Sequence, residues 1–264
     1  MKSIAPVCLL FLFFSTASTA QILIGPTAGP QVSWVSFDDK DYKDTVSVDP
    51  HIGWHAGFNL SFRVRKRFFL HTSIIYSTKG RTLKGKLDPD LKDKVKLNYL
   101  ELPIMYTYEI KTHVGPNKEF KWYFGVGPNI SYWLGGRGTV FNQSLNEAHA
   151  ETRKYKIVFD KAPDQFSNDE MNVVDPNRIQ LGLNLSAGFV FEPMGNQKFM
   201  LTIRYEMGHS WLSKGTGAFQ DIPDYHAILH SRNNGFRFSI AYLVDLKTEE
   251  RKKGKSTINK KKLR

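Results

Sequence analysis

An all-β fold, an eight-stranded antiparallel up-and-down transmembrane β-barrel, is what this sequence predicts, and three observations predict it. Eight segments alternate apolar and polar residues with a period of two, the mark of a strand with two unlike faces. They are long: a globular strand averages about five or six residues, whereas a strand tilted across a bilayer needs roughly 9–11. Short and long connections alternate strictly, which in an up-and-down barrel puts every tight turn at one rim and every long loop at the other.

Ahead of the first segment, residues 1–20 read as a secretory signal. Lys2 supplies a positive start, Val7 to Phe14 a short apolar core, and Ser18-Thr19-Ala20 the small-x-small pattern before Gln21. That apolar run is far below the ~20 residues of a spanning helix. Cys8, the single cysteine of the 264 residues, lies inside it, so the remainder is expected to carry no disulfide and no thiolate metal site.

The first segment, Ile22 to Phe37, sets Ile24, Ala28, Val32 and Trp34 against Gly25, Thr27, Gly29, Gln31 and Ser33. His51 to Val64 sets Ile52, Trp54, Ala56, Phe58, Leu60 and Phe62 against Gly53, His55, Gly57, Asn59, Ser61 and Arg63. In Phe68 to Lys79 the apolar side is Phe68, Leu70, Thr72, Ile74 and Tyr76, while Phe69 and Ile75 interrupt the polar side. Lys96 to Glu109 is an unusually long run, with Leu100, Leu102, Ile104, Tyr106 and Tyr108 on one face. Lys121 to Leu134 follows, with Trp122, Phe124, Val126, Ile130, Tyr132 and Leu134 opposite Tyr123, Gly125, Gly127, Asn129 and Ser131. The last three, Arg178 to Glu192, Lys198 to Trp211 and Gly235 to Lys247, alternate almost without fault.

The short links are Arg65 to Arg67, Lys111 to Lys118 and Pro193 to Gln197; the long ones are Asp38 to Pro50, Gly80 to Lys94, Gly135 to Asn177 and Ser213 to Asn233. Within the largest, Lys154 to Phe159 (KYKIVF) is a candidate strand extension or hairpin. One barrel domain is therefore expected over residues 21–247. The net charge of +12 is uneven, since Lys247 to Arg264 holds nine Lys or Arg against Glu249 and Glu250. Residues 248–264 read as a basic tail on the short-turn, periplasmic side.

A soluble secreted barrel that binds lipid inside would show the same alternation with the opposite polarity. The polar face here is mostly Gly, Ser, Asn, Thr and Gln, which suits a confined lumen rather than a watered surface. Charges sealed inside must be paired, and Glu101, Arg204, Glu206 and Arg237 are the residues expected to pair there as a polar network. Trp34, Trp54, Tyr106, Trp122, Tyr132, Trp211 and Tyr242 fall near segment ends on the apolar face, as interfacial aromatic girdles require.

IGPTAGPQ at Ile24 to Gln31, YSTKG at Tyr76 to Gly80, YLELPIMYTY at Tyr99 to Tyr108 and YFGVGPNISY at Tyr123 to Tyr132 resemble the PorT-like outer-membrane β-barrel family of the Bacteroides group. NNGFRFSIAYLVDL, with Asn233, Gly235, Phe238 and Ile240, resembles the C-terminal signal read by the barrel-assembly machinery, although a basic tail follows it. The resemblance implies an outer-membrane location and a link to type IX protein secretion.

Other chemistry is weakly signalled. His55 and His71 share the polar face of adjacent segments but read as lumen histidines rather than metal ligands. The run Asp38 to Asp44 (DDKDYKD) lacks the glycine and acidic spacing of a calcium loop. His51, His149, His226 and His230 with Asp221 and Asp224 are the only material for a rim lipid-modifying enzyme, and no nucleophile-elbow motif accompanies them. Gly125-Val126-Gly127 lacks the following helix of a phosphate loop. No catalytic residue, cofactor or metal is therefore expected. The partners expected are outer-membrane lipid and lipopolysaccharide, the barrel-assembly machinery, and secretion-system proteins or cell wall through the tail. Nucleic acid is not, since the tail carries no aromatics.

Overall fold

The computed structural model describes residues 22–87, 90–113, 119–141, 152–162, 165–193, 197–221 and 226–246. The leader expected at residues 1–20, the tail at 248–264, and the tips of the links at 114–118 and 194–196 lie outside the described residues.

Strands β1 (Ile22–Phe37), β2 (Val46–Arg65), β3 (Phe68–Gly85), β4 (Lys92–His113), β5 (Glu119–Phe141), β8 (Ile179–Phe191), β9 (Gln197–Gly208) and β12 (Ser231–Asp245) form an eight-strand ring in that order. Every neighbouring pair is antiparallel, and the ring closes where β12 lies along β1 from Leu23↔Asp245 to Phe37↔Ser231. Both ends of the ring lie at the rim of the β2–β3 turn, where Leu246 N–H donates to the Ile22 carbonyl at 3.0 Å. Closure leaves the ring no unpaired edge, the condition for crossing a bilayer with strands.

The outer face of β4 shows how high the belt reaches. Ile110, Tyr108, Tyr106, Ile104, Leu102 and Leu100 point outward in turn. Those ten residue steps cover about 33 Å along the strand, or about 25 Å of height at a tilt of about 40°. The same outward apolar face continues around the ring through Phe58, Ile74, Phe124, Leu183, Leu201, Ile203 and Ile240. This polarity sets aside the soluble lipid-binding barrel, whose apolar side would face its interior. Arginine at Ile203 is accordingly expected to destabilise the protein by about 2–4 kcal/mol in phospholipid vesicles. A denaturant titration in vesicles would show it, and an unshifted midpoint would deny lipid contact there.

Beyond Asn98 the strand keeps its period but exchanges its faces. Lys96, Lys94 and Lys92 now point outward, and Leu97 and Val95 inward. This exchange corrects the four expected long loops. Residues 80–94 complete β3 and begin β4, while β2 starts at Val46 rather than at His51. Residues 135–177 complete β5 and form β6 (Arg153–Phe159) and β7 (Glu170–Val173), and residues 213–233 form β10 (Thr216–Ala218), β11 (His226–Ile228) and the start of β12. An alternation rule that asks for apolar outside and small polar inside stops where the chain leaves hydrocarbon, although the strand goes on.

The extension grows from a fork in β5. Up to Tyr132 this strand pairs with β8; from Gly136 to Val140 it pairs with β6 instead. Between the two stands Gly135 at φ +144°, a backbone region in which any side chain would be strained. Next, β6 takes β7 in parallel, and β10 and β11 follow antiparallel, which completes a twelve-stranded sheet among the described residues.

Inside, three layers stack along the axis. Nearest the turns is an apolar plug of Leu23, Phe69, Tyr123, Val190, Met200, Ala241 and Leu243. Phe69, which interrupts the polar side of its segment, is one of its members. The middle is polar. Above it, Leu97, Tyr99, Trp133, Tyr155, Met171 and Leu229 belong to a larger buried apolar cluster that fills the extended part as a cap.

Candidate functional site

The polar middle layer is built from inward positions of β1, β3, β4, β5, β9 and β12, which the period of two aims at the axis. Arg237 Nη2 lies 2.9 Å from both carboxylate oxygens of Glu101 and 3.5 Å from Glu206 Oε2, and its Nε donates to Gln31 Oε1 at 3.0 Å. Lys79 Nζ bridges the same two acids, at 2.5 Å from Glu206 Oε1 and 3.2 Å from Glu101 Oε1. Asn129 Nδ2 donates to Glu101 at 3.1 Å and to Glu206 at 3.1 Å, and Ser77 Oγ donates to Glu101. All of these groups are buried.

Two carboxylates thus meet two cations and share neutral donors. An ion cluster in a low-dielectric interior persists when its charges balance and its hydrogen-bonding capacity is used. Glu101, Glu206 and Arg237 come together here, and Arg204 does not. It sits across from Arg237 in the β9–β12 register, and its Nε and Nη1 make no hydrogen bond among the described residues. Lys79, Ser77 and Asn129 were missed by sequence reasoning. The signal for Lys79 was its parity with Ser77, Ser73 and His71, hidden because the segment was expected to end there.

The two lumen histidines stand apart, each on its own hydroxyl: His55 Nε2 is 2.8 Å from Ser239 Oγ, and His71 Nδ1 is 2.6 Å from Ser61 Oγ. The aromatic residues make two tiers and one exception. Near the turn rim, Tyr106 stacks on Phe68 at 5.4 Å, Trp122 packs on Phe189 at 3.8 Å and Tyr242 on Phe199 at 5.3 Å. At the top of the belt, Trp54 meets Tyr76 at 5.5 Å, Trp34 meets Phe236 at 5.9 Å, and the Arg178 guanidinium lies 4.7 Å over Tyr132. Trp211 follows the end of β9, donates Nε1–H to Asp38 at 2.6 Å and packs on His230 at 3.7 Å.

The acidic run Asp38 to Asp44 is already committed. Asp39 caps the single-turn helix α1 (Lys40–Thr45) by accepting from the Asp41 and Tyr42 amides, and Asp38 accepts from Arg232 at 2.7 Å as well as from Trp211. Among the described residues, the rim candidates do not converge on a catalytic arrangement. Asp221 is held by Arg153 at 2.5 and 2.6 Å, His230 by Trp211, and His51 lies on the outer face over Gly80. His149 and Asp224 lie outside the described residues. Burial first, then Lys94 and Lys96, hold the His51 imidazole below its ordinary pKa, so the ring is neutral at neutral pH. Within the cap, burial pushes the Asp93 carboxyl up against the opposing pull of Arg81 and of a 2.8 Å bond from Tyr155.

Comparison with known proteins follows this geometry. The family described as outer membrane protein beta-barrel domain matches residues 15–210. No curated protein matches the sequence. Among solved structures, the Neisserial surface protein A is similar over 86% of this chain and 99% of its own, at 12% identity and a TM-score of 0.39. The outer membrane protein OprG from Pseudomonas aeruginosa is similar over 86% and 92%, at 13% identity and a TM-score of 0.42. The outer membrane protease OmpT from Escherichia coli is similar over 86% and 95%, at 9% identity and a TM-score of 0.29. With the closed ring, its apolar belt and a family match over most of its length, the chain belongs to the outer membrane protein β-barrel domain family and is a protein of the outer membrane.

Proposed function

We propose that this protein is a non-enzymatic, non-conducting barrel that carries an ordered platform outside the cell, with an interaction role rather than a transport role. The long-loop rim is the outer one in this reading, and residues 248–264 hang from the periplasmic rim as a basic tail. The observation that carries it is the stack inside the ring: apolar plug, balanced ion cluster, apolar cap. A pore would need a continuous watered path, and an eight-stranded ring is only wide enough for side chains to fill. The cap also gives the extension its own buried core, so β6, β7, β10 and β11 present a formed surface rather than loose loops. In planar bilayers the purified protein is expected to insert without step conductance; reproducible single-channel steps would overturn the reading.

The finer reading, a PorT-like protein that assists type IX secretion, is supported by the resemblance of Tyr99 to Tyr108 and the other quoted segments. A strain lacking the chain is then expected to retain type IX cargo in the periplasm, and unchanged cargo release would remove that role while leaving the barrel assignment intact.

A further inference from the structure

Above the belt, the exchange of faces lines up cations on the outside of the extension. Lys96, Arg137 and Lys156 are register partners across β4, β5 and β6, and Lys94, Thr139 and Lys154 form the next row. His51 leans in from β2 over Gly80, where a side chain would meet its ring at 3.0 Å, so the face is continuous across β3. Together they border a cavity of about 690 Å³, with the Asp169 carboxylate at its margin. Asp169 accepts from Ser167 Oγ at 2.7 Å. Among the described residues, Lys94, Lys96, Arg137, Lys154 and Lys156 make no ion pair, although Lys84 with Asp49 and Arg153 with Asp221 show that nearby cations do. Lys156 attracts Asp169 across this margin, but five cations against one carboxylate leave an excess of like charge on one face, at an electrostatic cost that an anion would remove.

Height decides which anion. Lys96 is four residues past Leu100, the last apolar outward residue of β4, so it stands about 13 Å further along the strand and about 10 Å higher at a tilt of about 40°. Hydrocarbon gives way to a headgroup layer of roughly 5–8 Å on each side of a bilayer, and a lysine stem reaches across the difference. The face also looks sideways over the membrane, not along the barrel axis toward bulk solution. We infer that Lys94, Lys96, Arg137, Lys154 and Lys156 form a binding site for the phosphorylated sugar headgroup of an outer-leaflet lipopolysaccharide molecule lying beside the barrel. The inference rests on the outward orientation of the long-loop rim proposed above.

The test uses the full chain in detergent micelles, with purified phosphorylated lipid A as probe. Wild-type protein is expected to bind it at least about tenfold more tightly than enzymatically dephosphorylated lipid A, and the triple variant K96Q/R137Q/K156Q to lose about tenfold of that affinity. A control triple, K40Q/K43Q/K86Q, removes exposed lysines elsewhere and should bind as wild type. Heat-modifiable gel mobility checks that each variant still holds its barrel. Equal binding of the dephosphorylated lipid, or an unaffected K96Q/R137Q/K156Q variant, overturns the site. Equally tight binding of phosphorylated glucosamine disaccharide without acyl chains would replace the lipid by a soluble anion and overturn the choice of ligand. Orientation is read separately: K154C should react with a membrane-impermeant maleimide on intact cells. Labelling only after lysis would reject the outward rim without touching the binding result in micelles.

Discussion

Arg237→Ala is expected to destabilise the folded barrel by about 3–5 kcal/mol, because it strands two acids in a sealed interior. Arg237 is the group that touches both oxygens of Glu101, and it is the nearer of two cations to that carboxylate. Once it is gone, Lys79 is the one cation left within ion-pair distance of Glu101 and Glu206 among the described residues, with Arg204 acting on them only from farther off, and Gln31 loses its donor. Water cannot take over easily, since the apolar plug and the cap close the layer on both sides. The uncompensated charge, not the missing contact, dominates the cost. Removing both members of the pair tests this: Glu101→Gln with Arg237→Met should cost markedly less than Arg237→Ala alone, since neither partner then leaves a bare charge. Urea unfolding in micelles, followed by gel mobility and tryptophan fluorescence, measures both. A single variant within about 1 kcal/mol of wild type, well below the cost of breaking a buried pair, would mean that the layer is wet and the ions are solvated.

The two halves of the molecule were unequally legible for a physical reason. Hydrocarbon demands an apolar residue at every second position and tolerates no error, so the belt residues of β8, β9 and β12 announced themselves in sequence. Glu101, Glu206 and Arg237 were legible for the same reason, as charges on the face that could not meet lipid. Above Asn98 the demand is reversed, and Val95, Leu97, Tyr99 and Trp133 point inward while lysines point out. The period is intact, but a rule tuned to one polarity reads the reversed stretch as loop. Strand pairing hid the rest. Nothing local in Lys154 to Phe159 says that it will replace β8 along β5, because that exchange is set by Gly135 and by the packing of Tyr155, Ile157 and Phe159 into the cap. The basic charge was likewise sought in the tail, whereas the register alone brings Lys96, Arg137 and Lys156 side by side from segments far apart in the chain.

Trp133→Ala should cost about as much as the loss of Arg237, roughly 3–5 kcal/mol for a fully buried indole. Trp133 has no exposed surface. It lies at the foot of the cap, with Tyr99 stacked at 6.4 Å, Phe159 edge-on at 4.8 Å, and its Nε1–H on the Gly135 carbonyl at 3.1 Å. The indole therefore joins the ring to β6 at the fork where β5 changes partners. Its removal empties the foot of the cap and frees the backbone turn at Gly135 at once. The damage should be graded in space, because the ladders of the ring below Tyr132 do not pass through this residue. Hydrogen exchange is expected to accelerate in β6 and β7 while β9 and β12 keep their protection at belt level, and Trp133→Phe should recover most of it. Uniform acceleration across both regions would mean that cap and belt unfold as one cooperative unit; acceleration confined to the extension would make the platform a separately stabilised layer, able to loosen around a ligand while the barrel beneath it stays closed.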